Sequence, residues 1–517
     1  MNRDDMLADL SGKEKWDFII IGGGATGLGT AIEGASRGYK VLLLEQDDFG
    51  KGTSSRSTKL IHGGVRYLQQ GNISLVLEAL KERGILGRNA AHLVKNLPFI
   101  VPSYDWWEGP FYGIGLKLYD LLAGKEGFGE SKLLSKEKTL SLIPTIETEG
   151  LRGGVIYHDG QFDDSRLIIN MAQTAVEQGA TVINYIRVGA FIKKQGLIHA
   201  VIAQDLEKDK EYQIEGRVII NAGGVFSDQV RRLDDAQVPA MIAPSQGVHI
   251  ILDKSFLPGD TAIMIPQTDD GRVLFAIPWH GCVVVGTTDT AVKEIDLEPI
   301  PRQEEIDFLI EHASRYLTKD PQRSDILSAF AGLRPLVLQG NAKNTAELSR
   351  DHTLHISPSG LLTIAGGKWT TYRRMAEDTI DHAIVLADLP FKPSGTVNLN
   401  IHGHHKTPEI FKELADYGSD APEIEDLLKE KKVYQDKIHP QRPTRIGEII
   451  WAVRREMARS VEDFLARRTR NLLLDAKSSM EMAPVVAEWM SVELNSGRAW
   501  RKKQVEKYRQ VAQNYSV

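Results

Sequence analysis

The chain has 517 residues, 42% apolar and 26% charged, a composition that buries sizeable cores and excludes a disordered or fibrous polypeptide. Its 63 basic and 69 acidic residues leave a net charge of −6, so no global positive field points to nucleic acid. The single cysteine, Cys282, rules out an intramolecular disulfide or a cysteine-rich zinc site; no metal site is expected, and the thiol count fits a reducing compartment.

The opening stretch, MNRDDMLADLSGKEKW, alternates charges and lacks the apolar core of a signal peptide. No later run is apolar and long enough to predict a transmembrane helix. A strand at 18–21 comes first, then a glycine-rich turn, a helix to about Arg37 and a second strand at 41–45, which together make a parallel βαβ unit. A hydroxyl- and glycine-rich segment, TSSRSTKLIHGGVRYL, occupies 53–68. Further strands are predicted at 218–224 (VIINAGG), 248–252, 282–286 and 361–367 (LLTIAGG), the last followed by a helical segment, KWTTYRRMAED. From about residue 400 helices and charged loops replace strand-like alternation, which sets a boundary at 395–405 between parts 1–399 and 400–517.

The first turn carries Gly22, Gly24 and Gly27 at the G-x-G-x-x-G spacing. Gly22 turns the chain tightly, Gly24 lets backbone approach a pyrophosphate at the helix N-terminus, and Gly27 allows close helix–strand packing. Glu45 closes the second strand, where a carboxylate accepts hydrogen bonds from ribose hydroxyls. FAD and NAD sites share this motif. The 53–68 segment favours FAD, because a chain passing close to a large planar ring needs small residues and backbone N–H groups. Thr53, Ser54, Ser55, Thr58 and Lys59 are the candidate cofactor contacts there, joined by the strand-to-turn glycines Gly223 and Gly367.

Four blocks, IGGGATGLGTAIEGASRG, KLIHGGVRYL, AGLRPL and GGKWTTYRRMA, together with WAVRREMARSVEDFLARRTR at 451–470, resemble the FAD-dependent glycerol-3-phosphate dehydrogenases. Leu28 and Glu33 depart from the family pattern in the first block. The resemblance implies an α/β architecture: a Rossmann-type FAD-binding domain from segments at about 14–75, 150–230 and 345–395, an inserted antiparallel-sheet substrate domain from 76–149 and 231–344, and a C-terminal helical domain at 400–517. It also implies oxidation of sn-glycerol 3-phosphate to dihydroxyacetone phosphate by hydride transfer to FAD, with electrons passed to a membrane quinone. His249, Arg334 and Lys368 are the catalytic candidates by this resemblance. Arg66, Tyr67, Arg334, Arg350 and Lys368 are the substrate-binding ones. Sequence alone does not say which group grips the phosphate and which the reacting oxygen. An oxidase that delivers electrons to oxygen, and a membrane flavoprotein without turnover, stay open as alternatives.

Residues 103–124 hold six aromatics, a composition suited to a membrane interface. The stretch 431–470 carries eleven basic and five acidic residues, expected to help meet anionic lipid. The family's members are peripheral enzymes, which implies a cytoplasmic protein on the inner face of the cytoplasmic membrane; a homodimer is open.

Overall fold

Strand β1 (Trp16–Ile21) carries Phe18, Ile19 and Ile20 without exposed surface, the apolar run of a strand covered on both faces. The computed structural model describes residues 1–10, 15–64, 72–266, 268, 269, 271–338 and 351–517. In it β1 lies inside an eight-stranded sheet. Parallel pairing joins β1 to β2 (Val41–Leu44) on one side and to β10 (Lys210–Asn221) on the other. Beyond β2 lies β7 (Thr181–Ile183), and beyond β10 lie β18 (Leu362–Gly366) and, antiparallel, β17 (His352–Ile356). An antiparallel hairpin, β8 (Ile186–Lys194) and β9 (Leu197–Asp205), extends from β10. Helix α1 (Ala25–Ser36) packs against both α3 (Asp164–Glu177) and α4 (Tyr372–Leu386). A Cβ on Gly27 would stand 1.8 Å from the Gly22 carbonyl oxygen, so only glycine lets α1 close on β1. Leu28 and Glu33, which depart from the family pattern, are both fully buried, and Glu33 accepts from Arg37 Nε at 2.7 Å.

The second sheet runs β15 (Thr290–Ala291), β11 (Ile242–Asp253), β14 (Cys282–Gly286), β13 (Leu274–Trp279), β12 (Ala262–Ile265), β4 (Lys95–Ser103), β6 (Gly153–Gln161) and β3 (Leu60–Ile61). To it are added β16 (Ile326–Val337), paired to β11, and β5 (Lys132–Ser135), paired to β6. Strand pairing is antiparallel except between β12 and β4. Direct register partners place Phe330, His249, Gly286, Phe275 and Met264 on one face, and Phe99 and Tyr157 follow on β4 and β6. The opposite face buries Ile100, Val283, Val285 and Ile250.

Two expectations need correction. The nucleotide-domain segments expected at 14–75 and 150–230 each give a strand, β3 and β6, to the second sheet, because the chain crosses between the sheets where the sequence shows only continued apolar alternation. The basic stretch 431–470 is not a continuous surface of unpaired positive charge, since each of its arginines meets a carboxylate. Arg467, Arg468 and Arg470 are buried; their pairs with Asp48 and Asp164 fasten the C-terminal helices to the nucleotide domain, and Arg467 also pairs locally with Glu462 and Asp463. Arg442, Arg445, Arg454, Arg455 and Arg459 each meet a carboxylate as well, in Asp475, Glu413, Glu493, Glu423 and Glu207. Composition gave the sign of these charges; Asp48, Asp164 and Glu207 come from remote parts of the chain, and the other acids from within the C-terminal part.

Helix α2 (Glu108–Ala123), in the aromatic segment, has two apolar faces. Leu116 is buried against the second sheet and Tyr119 and Ala123 against Val76 and Leu80, while Trp107, Phe111, Ile114, Leu118 and Leu121 form an outward stripe at spacings of four and three. Ile114 is 74% and Leu121 77% exposed, and the neighbouring Trp106 76%. Among the described residues no helix is long and apolar enough to cross a membrane.

Candidate active site

A cavity of about 390 Å³ opens where the C-terminal ends of β1, β2, β10 and β18 meet the N-terminus of α1. Gly22 has φ +113°, and a Cβ there would lie 2.6 Å from the Ala222 carbonyl oxygen. Gly24 caps α1 in an extended conformation, and the next residue, Ala25, donates its N–H to Ser54 Oγ at 3.0 Å. Glu45 accepts from the backbone N–H groups of Gly23 (2.6 Å) and Asp47 (2.8 Å). Burial pushes its carboxyl up to about 7, only partly offset by those two donors. A ribose hydroxyl donating to Glu45 would favour the ionised form. The cradle therefore fits a dinucleotide: bare backbone and a helix N-terminus for pyrophosphate, a carboxylate for ribose, and a groove continuing to Gly367 and Lys368. Gly366 and Gly367 both have positive φ, and a Cβ on Gly367 would meet Met375 Sδ at 2.3 Å.

A second cavity of about 310 Å³ adjoins it and shares Thr53, Lys368 and Trp369 as walls. Trp369 is fixed by donating its indole N–H to the Ser54 carbonyl at 2.8 Å. His249 is 2% exposed, stacks on Phe330 with centroids 4.8 Å apart, and has its Nε2 2.9 Å from Thr58 Oγ1. Its Nδ1 has no hydrogen-bond partner among the described residues. Burial, reinforced by the positive charges of Lys59 and Arg334, holds the imidazole well below its ordinary value, so it is neutral at pH 7. Arg334 projects from β16 into the same cavity. Its guanidinium bonds Asp289 (3.2 Å), Thr287 Oγ1 (3.1 Å) and the Thr288 carbonyl (3.0 Å). Gly247 makes the room, since a Cβ there would sit 2.4 Å from Arg334 Nη2.

Of the residues singled out from sequence, Gly22, Gly24, Glu45, Thr53, Ser54, Gly223 and Gly367 line the nucleotide cavity; Thr53, Thr58, His249, Arg334 and Lys368 line its neighbour. Gly27 lines neither and acts in helix packing, as its spacing implied. Ser55 and Lys59 also line neither. Lys59, at φ +65°, turns its side chain inward to Asp164 (2.7 Å) and the Ser55 carbonyl (3.0 Å), and burial lowers its ammonium to about 8. Arg66, Tyr67 and Arg350 lie outside the described residues. Sequence reasoning missed Arg272, Asp289, Asp159 and His62 in the second cavity, and 186–189 at the Glu45 end of the first. His62 stood within the quoted HGG block; nothing local marked the others.

Two sheets, a dinucleotide cradle and an adjoining cation-lined cavity define a flavin-dependent oxidoreductase. Residues 17–373 match the family described as FAD dependent oxidoreductase, and residues 360–504 match the C-terminal domain of alpha-glycerophosphate oxidase. The mouse mitochondrial glycerol-3-phosphate dehydrogenase is 37% identical over 98% of this chain and 74% of its own length. That of Schizosaccharomyces pombe is 36% identical over 99% and 89%. The crystal structure of the glycerol-3-phosphate dehydrogenase from Bacillus halodurans complexed with FAD superposes with a TM-score of 0.82 at 28% identity, covering 100% of this chain and 98% of that one. The chain belongs to the FAD-dependent glycerol-3-phosphate dehydrogenase family.

Proposed function

We propose that the protein oxidises the secondary alcohol of sn-glycerol 3-phosphate to dihydroxyacetone phosphate, with a membrane quinone as final acceptor of the electrons. The observation that carries this reading is the junction of the two cavities at Thr53, Lys368 and Trp369. It sets a cradle for FAD beside a chamber walled by His249, Arg334 and Lys368, and relatives named for this dehydrogenase activity support the substrate. FAD, when bound, supplies the hydride acceptor.

The chain's own groups do the rest. Arg334 and Lys368 offer positive charge to the phosphate and to the oxygen that becomes an alkoxide as its proton leaves. The neutral His249 takes that proton on a ring nitrogen. A phosphate dianion beside Arg334 counters one of the positive charges that depress the imidazole, so substrate binding strengthens the base it needs. Arg66, Tyr67 and Arg350 are retained as proposed substrate contacts. Peripheral docking on the inner face of the cytoplasmic membrane is supported by the exposed stripe of α2, with Trp106 and Leu133 beside it. The stripe favours a lipid-soluble acceptor over oxygen.

The test is the visible spectrum of the purified protein under anaerobic conditions, before and after glycerol 3-phosphate. Bleaching of the yellow band is expected. A flavin spectrum that glycerol 3-phosphate leaves unchanged overturns the assignment.

A further inference from the structure

Lys59 is a fully buried cation that touches neither cavity. Its Nζ donates to Asp164 at 2.7 Å and to the Ser55 carbonyl at 3.0 Å. Arg470, from the C-terminal part, meets the same two acceptors: its Nη2 donates to Asp164 at 3.0 Å and to the Ser55 carbonyl at 2.7 Å. Two cations thus share one carboxylate, and a positive charge is left over. Asp164 also accepts from the Ser57 N–H and hydroxyl, at 3.0 and 2.7 Å, so it stays well bonded if Lys59 is replaced.

The surplus charge faces the base across an aromatic ring. His249 on β11 and Phe330 on β16 are direct register partners, and the imidazole stacks on Phe330 at 12° with centroids 4.8 Å apart. Among the described residues β16 pairs with no strand but β11, so the far face of Phe330 looks off the edge of the sheet. The imidazole fills the face toward β11, which leaves the far face to the Lys59 ammonium, 5.0 Å from the ring centroid. Trp279 flanks it, 5.4 Å from Lys59 Nζ and 5.6 Å from the Arg470 guanidinium.

We infer that Lys59 is a positioning residue for the oxidation, acting on His249 through the Phe330 ring to favour the neutral imidazole, with Asp164 and Arg470 holding it in place. The inference rests on the proposed function for the role of His249 as base. The charges that reach His249 are those of Lys59 and Arg334; those that reach Lys59 are Asp164, Arg470 and Asp163. Burial is the main cause of the low His249 value, and Lys59 comes next, ahead of Arg334. Substrate treats the two cations differently. A phosphate in the second cavity counters Arg334, which lines it, whereas Lys59 lies behind the wall and keeps its charge throughout the cycle. That charge helps drive the proton off the imidazolium that each turnover leaves. Because Arg470 competes for Asp164, the C-terminal part has a share in setting the base.

The test uses the FAD-loaded enzyme and the anaerobic rate at which saturating glycerol 3-phosphate bleaches the flavin, followed from about pH 5 to about pH 8. Lys59→Met removes the charge, and a unit charge one ring away in a low dielectric is worth about one pH unit. The pH of half-maximal rate should therefore rise by about one unit, since the base now holds a proton at higher pH. Lys59→Arg keeps the charge and should stay within about 0.2 units of the parent. A merely structural lysine would slow the reaction equally at every pH. An unmoved half-rate pH in Lys59→Met, or equal shifts in the Met and Arg variants, overturns the inference. Should Lys59→Met purify without flavin, Lys59→Gln, neutral but still able to donate to Asp164, takes its place. Loss of flavin from all three variants would make Lys59 a folding residue and end the inference as well. A parent flavin that glycerol 3-phosphate bleaches at no pH marks instead the failure of the proposed function.

Discussion

Asp48 joins two buried arginines of the C-terminal part, Arg467 and Arg468, to the nucleotide domain, and its removal has a calculable cost. The carboxylate has no exposed surface and accepts from Arg467 Nε and from Arg468 Nη1 and Nη2, the latter two at 2.6 and 2.9 Å. Arg467 keeps Glu462 and Asp463 if Asp48 is neutralised. Arg468 is left with the Glu456 carbonyl at 2.8 Å and the Glu456 carboxylate at 3.6 Å. Asp48→Asn preserves volume and strands most of one buried positive charge, a loss of about 3–5 kcal/mol. Replacing Arg468 by Met in the same chain removes the stranded charge, so the double variant should be about 2 kcal/mol better than the sum of the single ones. Urea unfolding should be followed by both flavin release and tryptophan fluorescence, because several domains need not unfold together. A cost below about 1 kcal/mol for Asp48→Asn, or strict additivity with Arg468→Met, would refute the reasoning. Burial opposes ionisation of Asp48, but Arg468 and Arg467 outweigh it and hold the carboxyl below its ordinary value. The stabilisation is therefore present at neutral pH and is lost as pH falls through that depressed value.

Other substitutions separate packing from chemistry. Gly24→Val, whose Cβ would meet only Ser54 Oγ at 3.0 Å, should fold but purify without flavin, whereas Gly27→Ala should fail to fold, its Cβ 1.8 Å from a carbonyl oxygen; flavin content and circular dichroism distinguish the two. Arg334→Ala should lower kcat by roughly 10²–10³ while FAD content and the thermal midpoint stay near the parent's, since Asp289 still accepts from Ser245; unfolding instead would make the arginine structural. Burial lowers the His402 imidazole, but Asp420 and Glu177 more than reverse this and raise it to about 9. Its contribution, roughly 2 kcal/mol after allowance for partial exposure, should be complete below about pH 6.5 and vanish as pH rises through 9, and His402→Gln should flatten that part of the stability profile. Trp106→Ser with Trp107→Ser should release the protein from anionic vesicles and abolish quinone reduction while a soluble dye is still reduced with glycerol 3-phosphate; retention on vesicles would move the docking surface elsewhere.

The nucleotide half of the site was legible because its determinants are local. Gly22, Gly24, Gly27 and Glu45 sit on one βαβ unit, where spacing alone fixes what each faces. The 53–59 segment was legible only as a neighbourhood. Thr53 and Thr58 reach the cavities, but the left-handed backbone at Lys59 rotates its ammonium under the site to Asp164, a reversal no residue-type pattern reveals. His249 and Arg334 came from family blocks rather than alternation, which gives the same pattern for a structural histidine. Arg272 and Asp289 went unnoticed because they enter the cavity from separate strand ends, brought near by sheet order. The deepest C-terminal arginines are illegible for the same reason: Asp48 and Asp164, which pair with Arg467, Arg468 and Arg470, are hundreds of positions upstream.

The wall of the nucleotide cavity draws on residues 21–26, 44–54, 186–189, 222–233 and 366–375. Its strands β1, β10 and β18 are sequence-distant neighbours, so the cradle closes only after nearly three quarters of the chain has been made. An N-terminal fragment carrying the whole glycine motif would still lack the far wall, and cofactor capture becomes a late event of biosynthesis rather than a nucleating one. Pairings this remote are slow to find, leaving β1 and β2 waiting with apolar faces uncovered during synthesis. Cells short of flavin would thus accumulate a chain whose last assembly step, not its first, is the one in default.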